Sequence, residues 1–251
     1  MLDLGGGMRR RAGTWVTVAL WVVMIVGFAA LSVALAGEDR NGFVVPPSAD
    51  GPSPRSAVKV WEFADDFARV RGSLRNPGGD RYGNQVWRYM AGKSRRARDP
   101  SSFELLGGYE ENLQGAHGFD AWIGSDDPTA GVSFPIVGVQ GDPSEGFAHP
   151  SERRPAVVAW TSPVRGRVRI SGSVRDGDPR GGDGVMWALR KGLDTLATGT
   201  LRNGAARKPF GISSVGVNGG EVLYLKIAPR RSSGYDSTIF SLRIDEAAIA
   251  R

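Results

Sequence analysis

From residue 58 onward the chain never sustains the 3.6-residue apolar repeat of a helix over three or four turns, and that constrains its fold more than any motif does. What recurs is short two-residue alternation broken by turn residues. In "RVRISGSV" (167–174) Val168, Ile170 and Val174 share one side and Arg167, Arg169 and Ser171 the other. "EVLYLKIA" (221–228) aligns Leu223, Leu225 and Ile227, and "STIFSLRI" (237–244) aligns Phe240, Leu242 and Ile244. "AVVAW" (156–160), "GVMWALRKG" (184–192) and "ISSVGV" (212–217) complete the clearest strands. Strands with one wet and one dry face are satisfied most simply by two antiparallel sheets packed face to face. The predicted class is therefore all-β, a two-sheet antiparallel sandwich over residues 58–246.

The connections fit that class. "NGG" (218–220) predicts a tight hairpin, and "RRSSGYD" (230–236) and "SPVRG" (162–166) predict further turns. Residues 100–155 are less regular: a strand is predicted to start at Phe103, whereas "GSDDPTAGV" (124–132) and "GVQGDPSEGFAHPSERRP" (138–155) predict long loops. Long loops on a rigid sandwich are favourable places for binding.

Ahead of the sandwich the sequence is of another kind. After Arg9, Arg10 and Arg11 there is no charge until Glu38, and Thr14–Ala36 is almost wholly apolar. At about 1.5 Å per residue such a run matches a hydrocarbon core of about 30 Å. The expected organisation is a basic cytoplasmic tail (1–13), a transmembrane helix (14–36), a Pro-, Gly- and Ser-containing linker (37–57) and the sandwich domain outside the cytoplasmic membrane. Ala34-Leu35-Ala36 also satisfies a small-x-small cleavage rule before Gly37, so the competing expectation is a signal peptide and a secreted domain.

The chain of 251 residues contains no cysteine, so neither disulfides nor a thiol nucleophile are available to it. With two histidines, His117 and His149, a structural zinc site of the usual kind lacks ligands. Net charge is +6; setting aside Asp3 and Arg9–Arg11, which together carry +2, leaves +4 beyond the anchor. A basic exported domain is attracted to anionic envelope polymers, and nucleic acid is not an expected partner in that compartment. The dense basic run "GKSRRARDP" (92–100) is read as a solvated loop.

Asp66-Phe67, Asn76-Pro77, Trp87 with Tyr89, His149-Pro150, "WTSP" (160–163), "GDGV" (182–185) and "YDST" (235–238) together resemble a bacterial secreted jelly-roll module, carbohydrate-binding-module-like. The resemblance spans roughly residues 60 to 246 and implies a β-sandwich without catalysis of its own. The expected function is thus a non-catalytic, membrane-anchored binding module for glycan or envelope polymer. The alternative is an accessory subunit that docks on a membrane protein, with Gly27, Ala30 and Ala34 as a small-residue helix face.

Four residues are candidates for ligand contact: Trp122, Tyr109, Trp87 and His149. Trp122, in "GFDAWIGSDD", is read either as a solvent-facing platform for a sugar face or as a core residue, whereas Trp160 and Trp187 are read as core. "VRISGSVRDGDPRGGDGVMWAL" (168–189) places Asp176, Asp178 and Asp183 in one Gly-rich connection. These carboxylates cap their own turn or, in the alternative, hold a structural calcium ion. No other cofactor is expected, and no catalytic residue.

Overall fold

The computed structural model describes residues 58–69, 75–129, 132–141 and 145–247. The segments expected as tail, transmembrane helix and linker lie outside the described residues, and among the described residues no helix is long and apolar enough to cross a membrane. In chain order the strands are β1 (Val60–Glu62), β2 (Gly78–Gly79), β3 (Gln85–Gly92), β4 (Phe103–Leu105), β5 (Gly108–Glu110), β6 (Asp120–Thr129), β7 (Val132–Val139) and β8 (Gly146–His149). They continue as β9 (Ala156–Thr161), β10 (Gly166–Asp176), β11 (Val185–Lys191), β12 (Asp194–Leu201), β13 (Lys208–Val217), β14 (Val222–Pro229) and β15 (Thr238–Glu246). One short helix, α1 (Phe63–Arg69), follows β1.

Two antiparallel sheets result. The first runs β13-β10-β15-β8-β7-β6-β5 with β1 also paired to β15; the second runs β12-β11-β14-β9-β3-β2 with β4 also paired to β3. The predicted strands 156–160, 167–174, 184–192, 212–217, 221–228 and 237–244 all appear within one to four residues of their expected ends. Their inward residues meet as expected: Val168, Ile170 and Phe240 of the first sheet share a core with Trp160, Trp187 and Leu225 of the second.

Three expectations are corrected. "NGG" does not close a hairpin: β13 and β14 lie in different sheets, and the Asn218–Glu221 turn carries the chain across the sandwich with Gly220 at φ 86°. The 162–166 and 230–236 segments are turns as expected, and they too join strands of opposite sheets. Of the 124–132 stretch expected as a loop, 124–129 lie in β6 and Val132 opens the paired β7, and β8 forms inside the second expected loop. Both were hidden by short polar segments that pair through the backbone rather than through an apolar face.

The centre of the core is aromatic, and α1 delivers part of it. Phe63 packs edge-on to Trp87 (5.4 Å between ring centres) and against Phe240 (4.9 Å), so one helical residue touches both sheets. Asp66 on the same helix is fully buried and accepts the Trp87 indole N–H at 3.0 Å, with the Arg81 guanidinium 3.5 Å from its other oxygen. Trp61 is sealed in as well, donating to Asp80 at 2.8 Å and lying 5.0 Å from Trp160.

Trp122, on β6, is 7% exposed and stacks on Tyr89 of β3 at 5.9 Å with an interplanar angle of 10°. Its place is between the sheets, because that face of β6 is the one turned to β3. We expect Trp122→Ala to destabilise the fold by about 3–5 kcal/mol, as large-to-small aromatic core changes do. Urea denaturation followed by fluorescence reads this directly; a cost below about 1 kcal/mol would mean that the ring is not a core residue.

Candidate functional site

β11 and β14 are neighbours, and alternation gives each an outward row. Met186 pairs with Ala228, Ala188 with Lys226 and Arg190 with Tyr224, while β12 sets Thr198 opposite Ala188. The inward row, Val185, Trp187 and Leu189 with Leu225 and Ile227, is core. Small Ala188, Thr198 and Ala228 therefore floor the outer face of the second sheet, and longer side chains stand around them.

The connection from β3 to β4 is laid across this face. Tyr224 anchors it: the ring packs edge-on to Phe103 at 4.9 Å, and the hydroxyl lies against the carbonyls of Arg98 and of Gly192, the latter at 2.8 Å. Lys226 donates to the Ala97 carbonyl at 2.9 Å, and Arg95 reaches the Pro229 carbonyl at 3.4 Å. Asp99, the acidic residue of this connection, is turned to its own backbone, accepting from Ser101 and Ser102 amides at 3.0 and 3.2 Å as the cap of a short 3-10 turn. Its charge is spent on the cap and not on the arginines beside it.

The result is a groove of about 850 Å³ between the docked connection and the β11/β12 hairpin. Seven cations line it: Arg95, Arg96 and Arg98 from the connection, Arg190 and Lys226 from the sheet, and Arg230 and Arg231 beyond β14. Among the described residues lining it there is no carboxylate, and none of the seven has an ion-pair partner among the described residues. Lys226 registers this field: burial, then Arg190, then Arg98 push its ammonium below the ordinary lysine value of 10.5. Like charges held at a half-buried site favour an anion.

The expected contact residues do not gather here. Trp87 is fully buried with its N–H on Asp66, and Trp122 is core, which corrects the platform expected of it. Tyr109 packs at 5.4 Å against Trp122, on the inner side of the first sheet. His149 is half-buried, its Nδ1 2.7 Å from the Pro150 carbonyl and its ring 4.6 Å from that of Phe134; burial pushes its pKa down, against the pull of Pro150 and Asp178.

The three aspartates do not form the metal cluster that their proximity in sequence suggested. Asp176 accepts from the amides of Asp178 (2.9 Å) and Gly204 (2.5 Å). Asp178 holds Arg180 through two contacts of 2.7 Å, and Asp183 accepts from the Arg231 amide at 3.1 Å. Each carboxylate thus braces a turn, and among the described residues no three His, Cys, Asp or Glu side chains are grouped to hold a metal. The groove itself was missed because its cations come from three separate stretches. The signal was present in outward-facing Arg190 and Lys226 and in the run read as a solvated loop, but only strand order brings them together.

No family model matches the chain, and no curated relative is found. Among solved structures it is similar to the CBM36-1 domain of a multidomain xylanase from the hindgut metagenome of Trinervitermes trinervoides, with 15% identity over 45% of this chain and 87% of that one and a TM-score of 0.32. CBM51 from Clostridium perfringens GH95, in complex with methyl-galactose, matches with 10% identity over 55% and 87% and a TM-score of 0.33. Pika GITRL matches with 20% identity over 37% and 75% and a TM-score of 0.28. At these scores the likenesses carry no argument about ligand or partner. Carbohydrate-binding modules of the β-sandwich kind recur among the structures this chain is similar to.

Proposed function

We propose that the domain is a non-catalytic binding module outside the cytoplasmic membrane, and that the groove on the outer face of its second sheet takes an anionic glycan or envelope polymer. One observation carries the reading: seven cations converge on a floor of small side chains with no carboxylate among the described lining residues. Such a site gives a polyanion several simultaneous contacts, and flat sugar rings or a phosphodiester backbone fit over Ala188, Thr198 and Ala228. In this reading residues 14–36 anchor the domain beside the envelope polymer, 37–57 is the tether, and the sandwich has jelly-roll connectivity. Nucleic acid carries the charge this groove attracts, and the exported compartment keeps it away.

Binding of the purified protein to an acidic envelope polysaccharide is expected to weaken linearly in log K against log salt, because each neutralised charge releases a counterion. Arg98→Gln and Arg190→Gln are each expected to weaken it about fivefold, on the order of 1 kcal/mol per cation. Salt-independent binding, or equal affinity for a neutral glycan of the same length, would overturn the reading. Preference for nucleic acid over every acidic glycan would overturn its ligand class.

Lys226 supplies a second readout. Its depressed pKa belongs to the folded state, so between that value and 10.5 the unfolded chain binds more protons. Its contribution to stability therefore rises with pH through that window. NMR titration of the Lys226 Hε protons is expected to place its midpoint below 10.5 in the free protein and to move it upward when an anion fills the groove. No movement on saturation would place the anion elsewhere.

A further inference from the structure

Lys226 stands on the outward face of β14 with apolar side chains around its stem. Ala188 of β11 and Val157 of β9 are its cross-strand partners, and Tyr224 and Ala228 precede and follow it on the same face. Ala97 of the docked β3–β4 connection packs with Val157 and Tyr224 and closes the cluster beside it. Among the described residues the Lys226 ammonium has one acceptor, the neutral Ala97 carbonyl at 2.9 Å. An opposite charge is a common way to hold an ammonium on a sheet, as Glu221 does for Lys191 at 3.0 Å. Lys226 has instead Arg190 and Arg98 as its charged neighbours.

An apolar surround and two like charges both penalise the ammonium and favour the free amine. The free amine carries a lone pair, and that makes it a nucleophile toward carbonyl carbon. Desolvation and an adjacent cation are the two devices that activate a lysine for this chemistry, and both act on this one side chain. The amine is also within reach of solutes, because Lys226 lines the open groove together with Arg98 and Arg190. Their guanidiniums are planar forks suited to a carboxylate, which a compact ammonium matches less well.

We propose that Lys226 captures small anionic carbonyl compounds, those with a carboxylate beside an aldehyde or ketone, as a Schiff base in the groove. The amine nitrogen adds to the carbonyl carbon, and the C=O π pair moves to oxygen. That oxygen takes a proton and the nitrogen gives one up, which leaves a carbinolamine. Protonation of its hydroxyl lets the C–O bond break and water depart while the nitrogen lone pair closes the C=N bond. The nitrogen then releases its remaining proton. Amine and carbonyl thus become imine and water, and nothing is oxidised or reduced.

Arg98 and Arg190 hold the carboxylate and stabilise the oxyanion that forms on attack. One carboxylate offsets a single charge among the seven cations of the lining, so Lys226 remains among cations while the compound is bound. The capture is stoichiometric and reversible, without turnover. It rests on the groove being an anion site, as proposed above, and not on that anion being a polymer.

The experiment treats the full-length chain in detergent with glyoxylate at neutral pH, traps the imine with cyanoborohydride, and maps the added mass by peptide mass spectrometry. Lys59, Lys93, Lys191 and Lys208 serve as internal references in the same molecule. Lys226 is expected to be labelled at least about tenfold faster than any of them. With acetaldehyde, which has no carboxylate, that preference is expected to shrink. Arg98→Gln is expected to slow glyoxylate labelling of Lys226 about fivefold, and acetaldehyde labelling less. The rate at Lys226 is expected to follow a pH curve with its midpoint below 10.5. Labelling of Lys226 no faster than that of the reference lysines would overturn the proposal, and so would a preference equally large with acetaldehyde. Selective capture of glyoxylate by a protein that binds no acidic polysaccharide would leave the Schiff-base site standing and remove the polymer. Salt-dependent polymer binding without selective capture would do the reverse.

Discussion

The contact on which the rest of the sandwich depends is the one between α1 and the two sheets. Phe63 reaches Trp87 on one side and Phe240 on the other, while Asp66 holds the Trp87 indole in place. Without disulfides, nothing but burial and such fixed polar contacts keeps the sheets at their spacing. Burial alone leaves a ring free to choose among packings. The indole N–H bonded to a buried carboxylate removes that freedom, and Asp66 is held there at some cost, its pKa raised by burial and pulled back by Trp87 and Arg81.

With the spacing set, the outer faces become available for other chemistry. Strand order in the second sheet puts β11 beside β14, and only then do Arg190 and Lys226 stand on the same surface as Arg95, Arg96 and Arg98. Tyr224 is the hinge of this arrangement: an outward residue on a central strand, it spends its ring on Phe103 and its hydroxyl on the connection that brings the arginines in. A cationic surface is thus built by an aromatic one beneath it.

The parts of this structure that were legible in the sequence are those governed by period. Val168, Ile170, Leu225, Phe240 and Leu242 announced their faces by alternation, and each is buried. Trp160 and Trp187 were read as core from the valines in register with them. Trp122 was misread because glycines and aspartates around it suggest a loop, whereas β6 pairs through its backbone with β7 on one side and β5 on the other. Sheet membership was illegible too: a turn signal such as Asn218-Gly219-Gly220 fixes the reversal of the chain but not which sheet receives it. The groove depends on that choice, so residues distant in sequence met there unannounced.

The pairing of β1 with β15 bears on how the domain carries force. The first described strand is three residues long, matched as Val60 to Asp245, Trp61 to Ile244 and Glu62 to Arg243. Tension arriving along the chain ahead of Val60 meets few ladder bonds before it meets Trp61. Withdrawing that indole breaks its bond to Asp80 and exposes apolar surface of about 150–250 Å², on the order of 4–6 kcal/mol. Mechanically, such a load passes from the Lys59 and Val60 contacts to Trp61, and reaches Phe63 and Asp66 of α1, which tie the two sheets, only after that indole has yielded.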